Sequence, residues 1–131
     1  TDPAYYSTGN LLGRAETSSW CWQEGVKTAK RIAQELSVPE YDISGSIQFK
    51  ITDQAIAYVV PQRLTLSDRP GGMTQMQVGL GKPAKGFLEA VGGGQKIWKG
   101  RINSRPMRRI LMPLDVLLKR ETDQLVEFSI S

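Results

Sequence analysis

The feature that most constrains this chain is a change of hydrophobic period at Pro39. Before it, Trp22, Val26, Ala29, Ala33 and Leu36 recur at spacings of four, three, four and three, which is one face of a helix. Gln23, Glu24, Lys27, Lys30, Arg31, Gln34 and Glu35 take the other face. After it, apolar and polar residues alternate in short runs: Ile47, Phe49 and Ile51 against Gln48, Lys50 and Thr52, and later Val126, Phe128 and Ile130. Side chains on a strand alternate between two faces, whereas those on a helix return every three or four residues. The expected fold is therefore α+β, with one N-terminal amphipathic helix packed on a mainly antiparallel sheet, open or barrel-like. At 131 residues the chain is expected to be a single domain.

The helix is expected over residues 17–37. Thr17, Ser18 and Ser19 offer side-chain oxygens to its free N-terminal N–H groups, and Pro39 disfavours helical geometry at Val38. Trp22 is expected in the core. Trp20, about 200° away around the helix, is expected against Tyr5 and Tyr6 of a lead-in over residues 1–16. Gly25 would let another element approach closely.

Residues 41–131 read as mainly β. Ala55 to Val60 is apolar on both faces and is expected to be a central strand. Further strands are expected at Arg63–Leu66, Thr74–Leu80 (with Met76 and Val78 as the apolar side), Phe87–Val91, Lys96–Ile102 and Arg108–Met112. Turns fall at Ser67–Gly72, Gly92–Gly94 and Glu121–Asp123. Pro113 can open a short helix, with Asp115 favourably placed near its N-terminus.

Charge is distributed unevenly along this frame. Lys82, Lys85, Lys96, Lys99, Arg101, Arg105, Arg108 and Arg109 share their stretch with one acid, Glu89, so that segment is +7 while the remainder is −3. The same region, residues 71–109, is rich in glycine. A local cationic region on a slightly acidic body suits a polyanionic partner. Lysine and arginine neutralise phosphates and release counterions, and an aromatic beside them can stack a base. Lys96, Trp98, Lys99, Arg101, Arg105, Arg108 and Arg109 are the expected contacts, with Trp98 as the stacking ring and Gly92 to Gly94 as a hinge. The other readings of these residues are plain: Trp98 as core, the lysines as a solvated face or as protection of an edge strand.

Other chemistries find little support. The chain has no histidine, the commonest general base, and its one cysteine, Cys21, can form neither an internal disulfide nor a zinc site. Gly81 to Gly86 has the glycine spacing of a P-loop, but Phe87 and Leu88 stand where Lys and Ser or Thr are required. Gly79, Gly81 and Ala84 match a loose dinucleotide fingerprint without the helix and the later acid that it needs. No apolar run approaches the ~20 residues of a membrane span. No catalytic residue, metal ligand or cofactor is expected, and the lone cysteine is compatible with the cytoplasm. The expectation is a non-enzymatic nucleic-acid-binding protein, preferentially for single strands and without strong sequence specificity. The alternative is a structural subunit of a larger assembly, such as a secretion apparatus or a virion, whose basic loop docks on an acidic surface of a neighbour; a homo-oligomer is compatible with either.

Overall fold

The structure, a computed structural model, describes residues 17–37, 46–65, 74–106, 108–118 and 125–131. The expected lead-in over 1–16, the stop at Pro39 and the turns at 67–72 and 121–123 lie outside them. The described residues form α1 (Ser18–Leu36), β1 (Ser46–Ile51), β2 (Ile56–Val60), β3 (Arg63–Thr65), β4 (Gln75–Leu80), β5 (Ala84–Gly92), β6 (Gln95–Ser104), β7 (Arg109–Pro113), the one-turn α2 (Asp115–Leu118) and β8 (Leu125–Ile130). The class is α+β, as the change of period predicts.

The strands form two sheets, a five-stranded one ordered β3-β1-β8-β5-β6 and a three-stranded one ordered β2-β4-β7. They do not close into a barrel. All pairings are antiparallel except β1 with β8, which run parallel with Phe49 opposite Val126. One apolar core lies between the sheets. Ile47, Leu88, Ala90, Val126 and Phe128 line it from the larger sheet, and Val59, Met76, Val78 and Met112 from the smaller. Leu114 and Leu117, at and in α2, fill it from the end. The period of two delivers this directly, since Val126 and Phe128 are fully buried while Leu125 between the strand's start and solvent is exposed.

Two expectations are corrected here. The central strand of the smaller sheet is β4, not the Ala55–Val60 run, which forms the edge strand β2. Strand β4 is buried on both faces because Met76, Val78 and Leu80 meet the core while Gln77 and Gly79 lie on the side that faces α1. Strand β2 keeps apolar residues on both faces because a register shift leaves Ala57 as an extra, bulged residue between Ile56 and Tyr58.

The second correction concerns α1. Trp22 and Leu36 are 70% and 83% exposed, and Ala29 and Ala33 are exposed with them. The helix docks with its opposite face, which carries Trp20 and Glu24. The reason lies in what it covers. The outer surface of β2-β4-β7 presents Tyr58, Gln77 and Arg109, and the Gln77 carboxamide is nearly fully buried. A buried amide needs a hydrogen-bond partner, and the covering helix supplies one. Gln77 Nε2 donates to Glu24 Oε1 at 2.6 Å, Trp20 Nε1 donates to the same oxygen at 2.5 Å, and Arg109 approaches it at 3.8 Å. The Arg109 guanidinium also lies 3.9 Å from the centre of the Trp20 ring. Gly25 is not a point of close approach, since no described atom lies within 4 Å of where its Cβ would stand.

Candidate nucleic-acid interface

Strands β5 and β6 form a long hairpin, and its tight turn explains the glycines. Gly93 and Gly94 link the strands with φ of 57° and 73°, and two successive left-handed residues are what a two-residue turn matched to strand twist requires. The Gly92–Gly94 run is thus the turn of a paired hairpin. Strand β8 pairs with the other side of β5, leaving β6 as the edge of the larger sheet.

One face of this hairpin meets the core through Leu88 and Ala90, which pair with Gly100 and Trp98. Trp98 is half-buried, packs against the core, and lies over Gly100 so closely that a Cβ there would collide with the indole. It therefore belongs to the inner face. The outer face carries three cross-strand pairs: Lys85 with Asn103, Phe87 with Arg101, and Glu89 with Lys99. Lys85, Phe87, Lys99, Arg101 and Asn103 are exposed.

Sequence alternation groups Lys96 with Trp98, and the structure separates them. Ala90 pairs with Trp98 and Val91 with Lys96, so Ile97 is an extra residue and the alternation slips by one. Lys96 consequently joins Lys99 on the outer face. Both ammonium groups converge on Glu89, at 2.7 and 3.0 Å from Oε1, and Ser131 Oγ donates to the same oxygen at 3.0 Å. These donors hold the Glu89 carboxyl at about 2, well below the usual carboxylate range; the hydrogen bond from Lys96 contributes most and that from Lys99 next. The one acid of the basic segment is thus ionised and shared between two of its cations.

Phe87 is the aromatic that the sequence reading passed over. It is 40% exposed, stands opposite Arg101, and has the Lys99 ammonium 4.2 Å from its ring centre. The signal that would have found it is the odd-numbered alternation Lys85, Phe87, Glu89 on the strand facing the basic one. Lys50, on the same sheet, is held by Glu127 at 2.9 Å.

The remaining expected residues divide. Arg105 and Arg108 are exposed in the connection from β6 to β7, which is closed by the Arg108 N–H donating to the Arg105 carbonyl at 3.2 Å. Arg109 lies in the other sheet beneath α1, paired with Glu24 and Trp20, and is not brought together with the hairpin cations. Burial there lowers the pKa of its guanidinium. Among the described residues Lys85, Arg101, Arg105 and Arg108 have no acidic partner.

No family model, curated protein or solved structure matches this chain. Among the described residues no helix is long and apolar enough to cross a membrane, and no three His, Cys, Asp or Glu side chains form a metal-binding group.

Proposed function

We propose that this chain is a non-enzymatic protein that binds single-stranded nucleic acid through the outer face of the β5–β6 hairpin. The observation that carries the reading is Phe87, exposed on a sheet surface between Arg101 opposite it and Lys99 above its ring. A base stacks on the ring, and every base has a face to stack, so the contact is tolerant of sequence. Lys85, Arg101, Arg105 and Arg108 take phosphates. Lys99, which lies over the Phe87 ring and is paired with Glu89, moves off the ring face for a base to stack and is not counted among these contacts. Stacking and phosphate contacts carry no base-edge readout, so strong sequence specificity is not part of the proposal. Relative to the sequence-based expectation, the stacking role moves from Trp98 to Phe87, and Arg109 leaves the site.

The test is a titration of the nuclease-treated protein into a fluorescent oligo-dT at several salt concentrations. Four phosphate contacts on a single strand give a log–log slope of about −3. Absence of binding at low salt removes the proposal.

A second reading, the subunit of a larger assembly, has one observation in its favour: the outward apolar stripe of α1, with Trp22 and Leu36 largely exposed. Under that reading the mass measured by light scattering rises with protein concentration and is indifferent to oligonucleotide.

A further inference from the structure

Among the described residues the longest strand is also an open edge. Strand β6 runs for ten residues at the end of the larger sheet, against five, three and five for the other edge strands β2, β3 and β7. A long open edge is a template for another chain, and folded proteins ordinarily blunt it. Here the bulge at Ile97 disrupts only the end next to the turn, no proline lies within the strand, and no described element pairs with its outer side.

The direction of the edge groups follows from the far side of the hairpin. The Phe87 N–H donates to the Ser131 carbonyl at 2.8 Å, and the Ser131 N–H donates to the Phe87 carbonyl at 2.9 Å. Phe87 thus turns both backbone groups toward β8. Residues alternate in an antiparallel ladder, so Gly86 and Leu88 turn theirs toward β6, where they meet Ile102 and Gly100. Lys99, Arg101 and Asn103 are left with N–H and carbonyl groups pointing out of the sheet edge. Their side chains all lie exposed on the outer face. On the inner face the residue between Lys99 and Arg101 is Gly100, with the Trp98 indole lying over it.

The side chains decide what can pair there. A second copy of β6, antiparallel about Arg101, would set guanidinium against guanidinium, and like charges directly opposite are destabilising. A carboxylate opposite Arg101 reverses the sign, and Arg101 has no acidic partner of its own. A second carboxylate two residues on stands opposite Lys99. Arg105, exposed just past the strand, extends the cationic run. Between the two acids the incoming residue stands opposite Gly100, where an apolar side chain meets the Trp98 ring.

We propose that the free edge of β6 binds an extended acidic peptide by strand addition, antiparallel to β6, with the pattern acid, apolar, acid opposite Arg101, Gly100 and Lys99. The site is the edge of the hairpin rather than the ring face of Phe87, so it does not rest on the function proposed above.

Amide exchange of the whole protein, followed by NMR with and without a blocked hexapeptide alternating glutamate and valine, tests it. Slowed exchange is expected at Lys99, Arg101 and Asn103. Lysine in place of the glutamates is expected to weaken binding about tenfold. N-methylation of the peptide groups that face β6 is expected to weaken it about tenfold, the loss of two ordinary hydrogen bonds. Equal affinity of the N-methylated peptide would overturn strand addition, and equal affinity of the lysine peptide would overturn the acidic partner. Unchanged exchange at millimolar peptide, with oligo-dT still bound, would overturn the edge site while leaving the hairpin proposal standing. Slowed exchange with the peptide, and no binding of oligo-dT, would support the edge site and remove the hairpin proposal.

Discussion

Exchanging each of two aromatic residues for leucine separates an interface ring from a core ring. Phe87 is 40% exposed and its distinctive partner is the Lys99 ammonium. Leucine keeps most of the apolar contact and removes the π face, so Phe87→Leu loses about 0.5–1 kcal/mol of stability. A chain of 131 residues unfolds with an entropy of about 0.28 kcal/mol/K, so the melting temperature falls by about 2–4 °C. Binding suffers more: a base stacked on an aromatic is worth ~1–3 kcal/mol, a weakening of roughly 5- to 160-fold. Trp98→Leu should behave in the opposite way. Its ring packs on the core and over Gly100, and a partial large-to-small change there costs about 2 kcal/mol, or about 7 °C. Affinity measured well below the melting range stays as in the parent protein. Thermal melts followed by circular dichroism, paired with anisotropy of labelled oligo-dT, read both quantities. If Trp98→Leu abolishes binding and Phe87→Leu does not, the assignment of inner and outer rings is wrong.

Three other expectations follow from the geometry. Glu89 titrates near 2 in the folded protein against an ordinary 4.5, so its contribution is present above about pH 4.5 and fades as pH falls toward 2. Glu89→Gln should flatten that acid limb of stability and, by releasing Lys96 and Lys99, tighten oligonucleotide binding; an acid limb identical to the parent's would contradict the pairing. Arg109→Ala should lower the melting temperature through the loss of its contacts with Trp20 and Glu24 while leaving affinity for oligo-dT within about twofold, and a fall in affinity without a change in melting would return Arg109 to the site. Gly79→Ala drives a methyl group into the Tyr58 ring and should cost about 1–3 kcal/mol, whereas Gly81→Ala meets Ala57 Cβ at 3.5 Å and the Ala55 carbonyl oxygen at 4.0 Å, both ordinary contacts, and should be close to neutral in denaturant titrations.

How much of this was legible depends on which link each feature lives on. The strands were legible because burial on one side of a sheet imposes a period of two, and Met76, Val78, Val126 and Phe128 obey it. The hairpin turn was legible because few residues besides glycine tolerate the φ of Gly93 and Gly94. The seat of α1 was not. Helical spacing states which residues share a face, and it is silent on what that face meets. The helix lies on Gln77, Arg109 and Tyr58, three polar side chains that come together only once β2, β4 and β7 are paired. Glu24 supplies the acceptor that Gln77 and Arg109 meet, and no pattern inside residues 18–36 records that this face is the one that docks.

The candidate interface failed to be legible for a different reason, a single added residue. Every face assigned by alternation assumes an unbroken ladder, and Ile97 breaks it. Without the bulge Lys96 would lie beside Trp98 on the inner face, and Glu89 would hold one lysine. With it Lys96 and Lys99 both close on Glu89. The consequence is electrostatic as well as geometric. A segment of formal charge +7 does not present seven free cations, because Glu89 spreads its charge over two lysines and Arg109 is committed to α1. Among the described residues, what faces solvent without an acidic partner is Lys85 and Arg101 on either side of Phe87, Lys82 in the turn before β5, and Arg105 and Arg108 beyond. Net charge along the chain singles out a region, but ion pairing and register decide which of its charges a phosphate could meet. A salt slope near −3 rather than about −5 is the measurable form of that distinction, since single strands lose about 0.7 per phosphate contact.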